Sequence, residues 1–234
     1  MIFKSAQSVY ASPMSSPVTS ENMEISCHVA QRLLLLASEK GWESNGTKNG
    51  VSLWEKKDEV PIFKGKLLIK TNAAKIADIL LKPQTRFILD EHLQEAQLIE
   101  RYNSHDTNNI LSAYLMLTSY KGQFTVSARE FLTVCICQVF NQENYKKPQG
   151  KDSVFVLASS SVEDARFGPY TKGKVRGRVV IGGYVLKDTE KGCEVININQ
   201  VSLGGSLPSV LVTPVLRSKP AEILVKLKDL CEKS

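Results

Sequence analysis

Histidine is scarce in this chain: His28, His92 and His105 are the only three in 234 residues. None stands in a metal-ligand spacing such as His-Glu-x-x-His. There is no Gly-x-Ser-x-Gly elbow and no phosphate-binding loop of the Gly-x-x-x-x-Gly-Lys-Ser/Thr kind. The pairs Gly182-Gly183 and Gly204-Gly205 lack the strand–glycine–helix context of a dinucleotide site. No catalytic residue, metal or cofactor is therefore expected. Long apolar runs are missing as well. Leu33-Leu34-Leu35-Leu36-Ala37 falls far short of the roughly 18 residues that cross a bilayer as a helix, so a soluble, cytoplasmic protein is expected.

The cysteines, Cys27, Cys135, Cys137, Cys193 and Cys231, are odd in number and irregularly spaced, which argues against a disulfide framework. Reduced thiols are the simpler expectation. Cys135 and Cys137 share one face of an apolar strand, a pattern that points to core or cavity packing. The chain is 42% hydrophobic and 23% charged, with a formal charge of +6. That excess favours anionic partners such as membrane surfaces. No dense basic block with interleaved aromatics marks a nucleic-acid interface, and a monomer is the default expectation.

Residues 1–22 are Ser-rich and lack periodicity, and are expected to be a disordered tail ahead of one domain over 23–234. A helix is expected from Glu24 to Lys40, with Ile25, Val29, Leu33 and Leu36 on one stripe. Asn45-Gly46 and Asn49-Gly50 signal turns. Strands are expected at 51–57 and 62–70, then a helix capped by Asn72 and ended by Pro83. Six strands follow, near 94–103, 109–118, 129–140, 153–160, 175–187 and 193–203. A final helix over about 207–231 contains Pro214 and Pro220, which should kink or split it. Short connections imply antiparallel pairing, and the class is α+β.

Five landmarks in order give a more specific reading. They are Gly41-Trp42 with Gly50-Val51-Ser52-Leu53-Trp54, then Arg86-Phe87-Ile88-Leu89-Asp90, Arg129-Glu130-Phe131-Leu132, Val175-Arg176-Gly177, and Gly204-Gly205-Ser206-Leu207-Pro208. From about Trp42 to the C-terminus this order resembles the START domain, a lipid-transfer module. The resemblance implies a helix-grip fold, in which a curved antiparallel sheet wraps a long C-terminal helix around an internal cavity. Leu89 replaces a usual Trp, Glu130 a usual Asp, and Ser202 a usual Asp. Cholesterol-carrying members pair an acidic residue with an Arg on adjacent strands. Those positions fall near Met116 and Cys135 here, which cannot form that pair.

Alternation groups Ser112, Tyr114 and Met116 on one strand face, Phe131, Thr133, Cys135 and Cys137 on another, and Ile196, Ile198 and Gln200 on a third. From alternation alone, these faces suit a plain core or a lipid cavity with a few polar groups. The resemblance implies the cavity. Arg86 and Asp90 read either as a surface ion pair or as a head-group site built on Arg86. Arg129 and Arg176 read as structural ion-pair residues. The loop around Phe124 stands where the family has a lid. With Leu211, Leu216, Leu224 and Leu227 of the last helix, Phe124 is a candidate for membrane contact, or else for packing. The resemblance implies a non-enzymatic carrier of one sterol or phospholipid molecule, touching anionic membranes in passing. A lipid-sensing adaptor without transfer activity is the alternative.

Overall fold

The computed structural model describes residues 17–102, 109–122, 126–141, 153–168 and 173–233. The first helix, α1 (Pro17–Ser38), buries Ala30 and Leu33 completely. It starts seven residues earlier than the apolar stripe predicts, so residues 17–22 belong to the helix and not to a tail. The reason is polar: Asn22 is buried, and its amide donates to the Tyr102 hydroxyl at 2.9 Å.

Three strands follow: β1 (Glu43–Lys48), β2 (Val51–Lys56) and β3 (Ile62–Ile69). The sequence signals missed β1, which is polar and largely exposed at the sheet edge, as edge strands often are. Asn49 and Gly50, with φ of 52° and 80°, make the two-residue hairpin turn. The Asn45-Gly46 signal marks a bulge instead: register shifts between Ser44 and Thr47, with Gly46 at φ 78°.

Helix α2 (Ala73–Leu81) is capped as expected, with Asn72 Oδ1 accepting from the Lys75 amide at 2.8 Å. Pro83 does more than end it. It opens another helix, α3 (Pro83–Leu89), where a proline loses nothing because the first-turn N–H has no helical partner. Arg86 sits on this helix.

The remaining strands are β4 (Leu93–Arg101), β5 (Ile110–Tyr120), β6 (Ala128–Asn141), β7 (Ser153–Ser161), β8 (Lys174–Arg176), β9 (Arg178–Thr189) and β10 (Gly192–Ser202). The expected strand 175–187 is split at Gly177, where the Phe131 ring covers the backbone and leaves no room for a side chain. The sheet order is β1-β2-β3-β10-β9-β7-β6-β5-β4, antiparallel throughout, with the short β8 paired in parallel to β6. Helix α4 (Ser209–Glu232) closes the chain with Pro214 and Pro220 inside it, so neither proline splits it. Pro220 is buried and serves as packing surface over Gly65.

Helices cover the sheet on both sides. Helix α1 lies on β6, β7, β9 and β10, burying Leu115, Leu132, Val134, Ile136, Val156, Ile181 and Ile198. On the other side α4 rests on β2, β3 and β10, α2 on β7 and β9, and α3 on β4. There Leu53, Ile69, Ile76, Leu186, Val195, Leu224 and Leu227 form a second core.

Candidate functional site

Cross-strand partners share a face of a sheet, so register shows what looks toward α4. Tyr114 lies opposite Cys135, Cys135 opposite Ser159, and Ser159 opposite Gly182. A neighbouring row runs Ser112, Cys137, Leu157, Tyr184, Asn197. Met116 faces Thr133, and Thr118 faces Phe131. The structure therefore brings Ser112, Tyr114, Met116, Phe131, Thr133 and Cys135 together on the α4 side, as alternation grouped them.

Packing differs between the two sides of this region. On β7, Val154, Val156 and Ala158 are closed off beneath α1, at 6% exposure or less. Their neighbours Phe155 and Leu157, in the middle of the same strand but turned toward α4, keep accessible surface, as does Tyr184 on β9. All three pack at the border of the second core without being closed off by it.

Ile196, Ile198 and Gln200 point the other way. Their alternates Val195, Asn197 and Asn199 look toward α4, whereas Ile196 and Ile198 pack into the α1 core. Gln200 is buried on that outer side, donating to the Val60 carbonyl at 2.8 Å and to Asp58 at 3.1 Å. The correction has a physical cause. Strand β10 is covered on both faces, so alternation separates its two sides without saying which is which. The inward side holds the polar set: Asn197 donates to the Gly183 carbonyl at 3.0 Å, and Asn199 to Asn197 at 2.6 Å.

The polar focus of the inner side is Arg86. From α3 its Nη2 donates to the Tyr114 hydroxyl at 3.0 Å and reaches the Cys135 sulfur at 3.6 Å. Thr133 Oγ1 lies 3.7 Å from the same sulfur. No carboxylate among the described residues pairs with Arg86. Asp90, its expected partner four residues on, is engaged by Lys219 of α4 at 3.0 Å. Burial works against the Arg86 charge, but the neighbouring Tyr114 and Cys135 outweigh it and hold the guanidinium protonated beyond its ordinary range. The surrounding phenols are also held protonated. Burial pushes the Tyr120 hydroxyl up to about 12, with help from Asp90, and it raises Tyr114 and Tyr184. The α4-facing side of the sheet thus has an apolar stretch and one cationic, hydroxyl-rich corner.

The remaining candidates lie elsewhere. Phe124 falls outside the described residues, as does the Leu211 side chain. Leu216 borders a cleft of about 270 Å³ beneath the start of α4, with Phe63, Leu207 and Val212. Leu224 and Leu227 are fully buried against the sheet, so they are core residues here and not a membrane-facing surface. Arg176 does form the expected ion pair, donating to Glu130 at 2.8 Å. Among the described residues Arg129 makes none: it holds the backbone carbonyls of Ser127, Leu203 and Gly204. The sequence reasoning missed Tyr120, Phe155, Leu157 and Tyr184 as wall residues. Extending the same alternation along β5, β7 and β9 would have found them.

The START domain family model matches residues 26–234. The chain belongs to the START domain family. Solved structures agree on the helix-grip fold of this START domain. Human StAR-related lipid transfer protein 5 superposes with a TM-score of 0.73 at 19% identity, covering 92% of this chain and 98% of that one. Human STARD10 gives 0.69 at 20% identity, covering 87% and 78%. A STAR-related lipid transfer protein from Xanthomonas axonopodis gives 0.64 at 19% identity, covering 82% and 99%. No curated protein sequence matches the chain. Family and neighbours together support lipid binding or transfer in general. Among the described residues no helix of this START domain is long and apolar enough to cross a membrane.

Proposed function

We propose that this START domain carries one phospholipid molecule between membranes without chemical change. The phosphate rests on Arg86, and the acyl chains lie along Met116, Phe155 and Leu157. Arg86 carries the reading. It is a half-buried guanidinium whose partners are a phenol and a thiol, with no carboxylate beside it among the described residues. A charge taken from water without a counter-charge is costly. A phosphate supplies one through two parallel N–H···O bonds, and the protonated Tyr114 hydroxyl offers a further donor.

The apolar wall supplies affinity at about 25 cal/mol for each Å² removed from water. Free dissociation into water is therefore slow, and exchange takes place at a membrane. The formal charge of +6 favours an anionic surface there. A sterol would leave the Arg86 corner without a counter-charge. On this reading the protein works as a cytoplasmic monomer that visits membranes.

The test is vesicle-to-vesicle movement of labelled phosphatidylcholine and labelled cholesterol, with the wild type and with Arg86→Met. Phosphatidylcholine should move well above background, and Arg86→Met should slow it by about tenfold, the equivalent of one lost charge-assisted contact. If neither lipid moves faster than background, the carrier reading fails. If the variant transfers phosphatidylcholine like the wild type, Arg86 is not its head-group site. Tight binding with no transfer would mark a sensor instead.

A further inference from the structure

Cys135 has a setting that none of the other four cysteines shares. Burial pushes the thiols of Cys137 and Cys193 up to about 12 and raises those of Cys27 and Cys231. Among the described residues, only Cys135 has a guanidinium at its sulfur, with Arg86 Nη2 at 3.6 Å and Thr133 Oγ1 at 3.7 Å. The same guanidinium holds the Tyr114 hydroxyl at 3.0 Å. Three elements, α3, β5 and β6, therefore bring one nucleophile and two hydrogen-bond donors to a single corner. Cys135 is 4% exposed, so on the lipid-carrier reading a reagent reaches it by the route a lipid takes.

We propose that Cys135 is a covalent attachment site for amphiphilic α,β-unsaturated carbonyl compounds, the class that includes long-chain enals. The inference rests on the lipid-carrier reading of the same space. Arg86 and the Tyr114 hydroxyl donate to the carbonyl oxygen, and the Cys135 sulfur attacks the β-carbon. A sulfur–carbon bond forms as the carbon–carbon π bond breaks. The electron pair moves to the carbonyl oxygen as an enolate, where the guanidinium meets it. The thiol proton ends on the α-carbon. Nothing leaves, and no oxidant or reductant is needed. The alkyl tail lies along the same wall as an acyl chain, so each further buried methylene raises occupancy about fourfold.

The test exposes the full chain separately to nonenal and to acrolein, and maps adducts on all five cysteines by mass spectrometry. Because Cys27 is only half-buried, the ratio of adduct at Cys135 to adduct at Cys27 cancels the intrinsic reactivity of each reagent. That ratio should be at least about tenfold higher for nonenal, as several buried methylenes require. Preloading with phosphatidylcholine should suppress it, and Cys135→Ser, confirmed folded by its thermal melt, should abolish the Cys135 adduct. A ratio that ignores chain length, or nonenal found first on Cys27, overturns the proposal. If phosphatidylcholine transfers normally while Cys135 stays unmodified, this inference alone falls. If nonenal attaches selectively at Cys135 and phosphatidylcholine neither binds nor moves, the attachment site stands and the phospholipid reading falls.

Discussion

Asp90 accepts a hydrogen bond from Lys219 at 3.0 Å, across the junction of α3 and α4, and makes no ion pair with Arg86 one turn before it. The pairing has two consequences. It leaves the Arg86 guanidinium to face Tyr114 and Cys135, and it ties the closing helix to the helix that carries the polar corner.

Lys219→Ala cuts that tie. Both side chains of the pair are 20% exposed, so the stability loss should stay under about 1 kcal/mol. Lipid exchange should nevertheless become severalfold faster, because α4 separates from α3 more readily. Stopped-flow release of a fluorescent phospholipid, beside a urea titration, measures both quantities. An unchanged release rate would show that this junction does not open.

Gly65→Ala should destabilise the fold. A Cβ there would lie 2.7 Å from Pro220 Cβ, 3.2 Å from Leu224 and 3.3 Å from Val51. The proline ring cannot swing aside, so α4 must shift outward at a cost of about 1–3 kcal/mol. The smaller gain from a stiffer unfolded chain does not offset this. The midpoint of urea unfolding should fall, and a midpoint at or above that of the wild type would contradict this packing.

Arg176→Ala withdraws the guanidinium from Glu130, whose side chain is 1% exposed. Breaking a buried pair from that side should cost about 3 kcal/mol. Glu130→Gln should cost less, since the remaining Arg176 is 20% exposed and can turn to water. Equal losses in chemical denaturation would argue that the pair is not asymmetric in burial.

Alkaline pH should loosen the protein from about pH 9 upward. Burial, aided by Asp78 and by Asp188, raises Cys137 and Cys193 from 9.0 to about 12. Between those values the unfolded chain has released protons that the folded chain keeps. The unfolded state therefore binds fewer protons, and stability falls as pH rises. Tyr120, raised by burial from 10.0 to about 12, adds to the loss above pH 10. Lys64 works in the opposite direction between about 8 and 10.5, because burial lowers its folded value. Thermal melts from pH 8 to 11 should show the decline, and the Cys137→Ala/Cys193→Ala double variant should flatten it.

Much of the fold was legible because its signals are local. The Asn49-Gly50 hairpin, the Asn72 cap and the alternation along β5 and β6 each depend on residues close in the chain. The elements that were misread lack such a signal or carry a misleading one. Strand β1 has no apolar alternation, Pro83 starts one helix as readily as it ends another, and the helix turn around Asn22 depends on Tyr102, 80 positions away.

By itself the sequence determined the α+β class, most of the strands along the chain, the family, and the sets of residues that share a strand face. Periodicity and turn chemistry act over a few residues and survive in any correct fold. Tertiary structure alone decided which face of β10 looks inward, that Leu224 and Leu227 are core, and that Asp90 belongs to Lys219. Each of those depends on which element lies across from which. A half-buried charge such as Arg86 acquires its meaning only when the carboxylate that might have neutralised it is seen to be held by another residue.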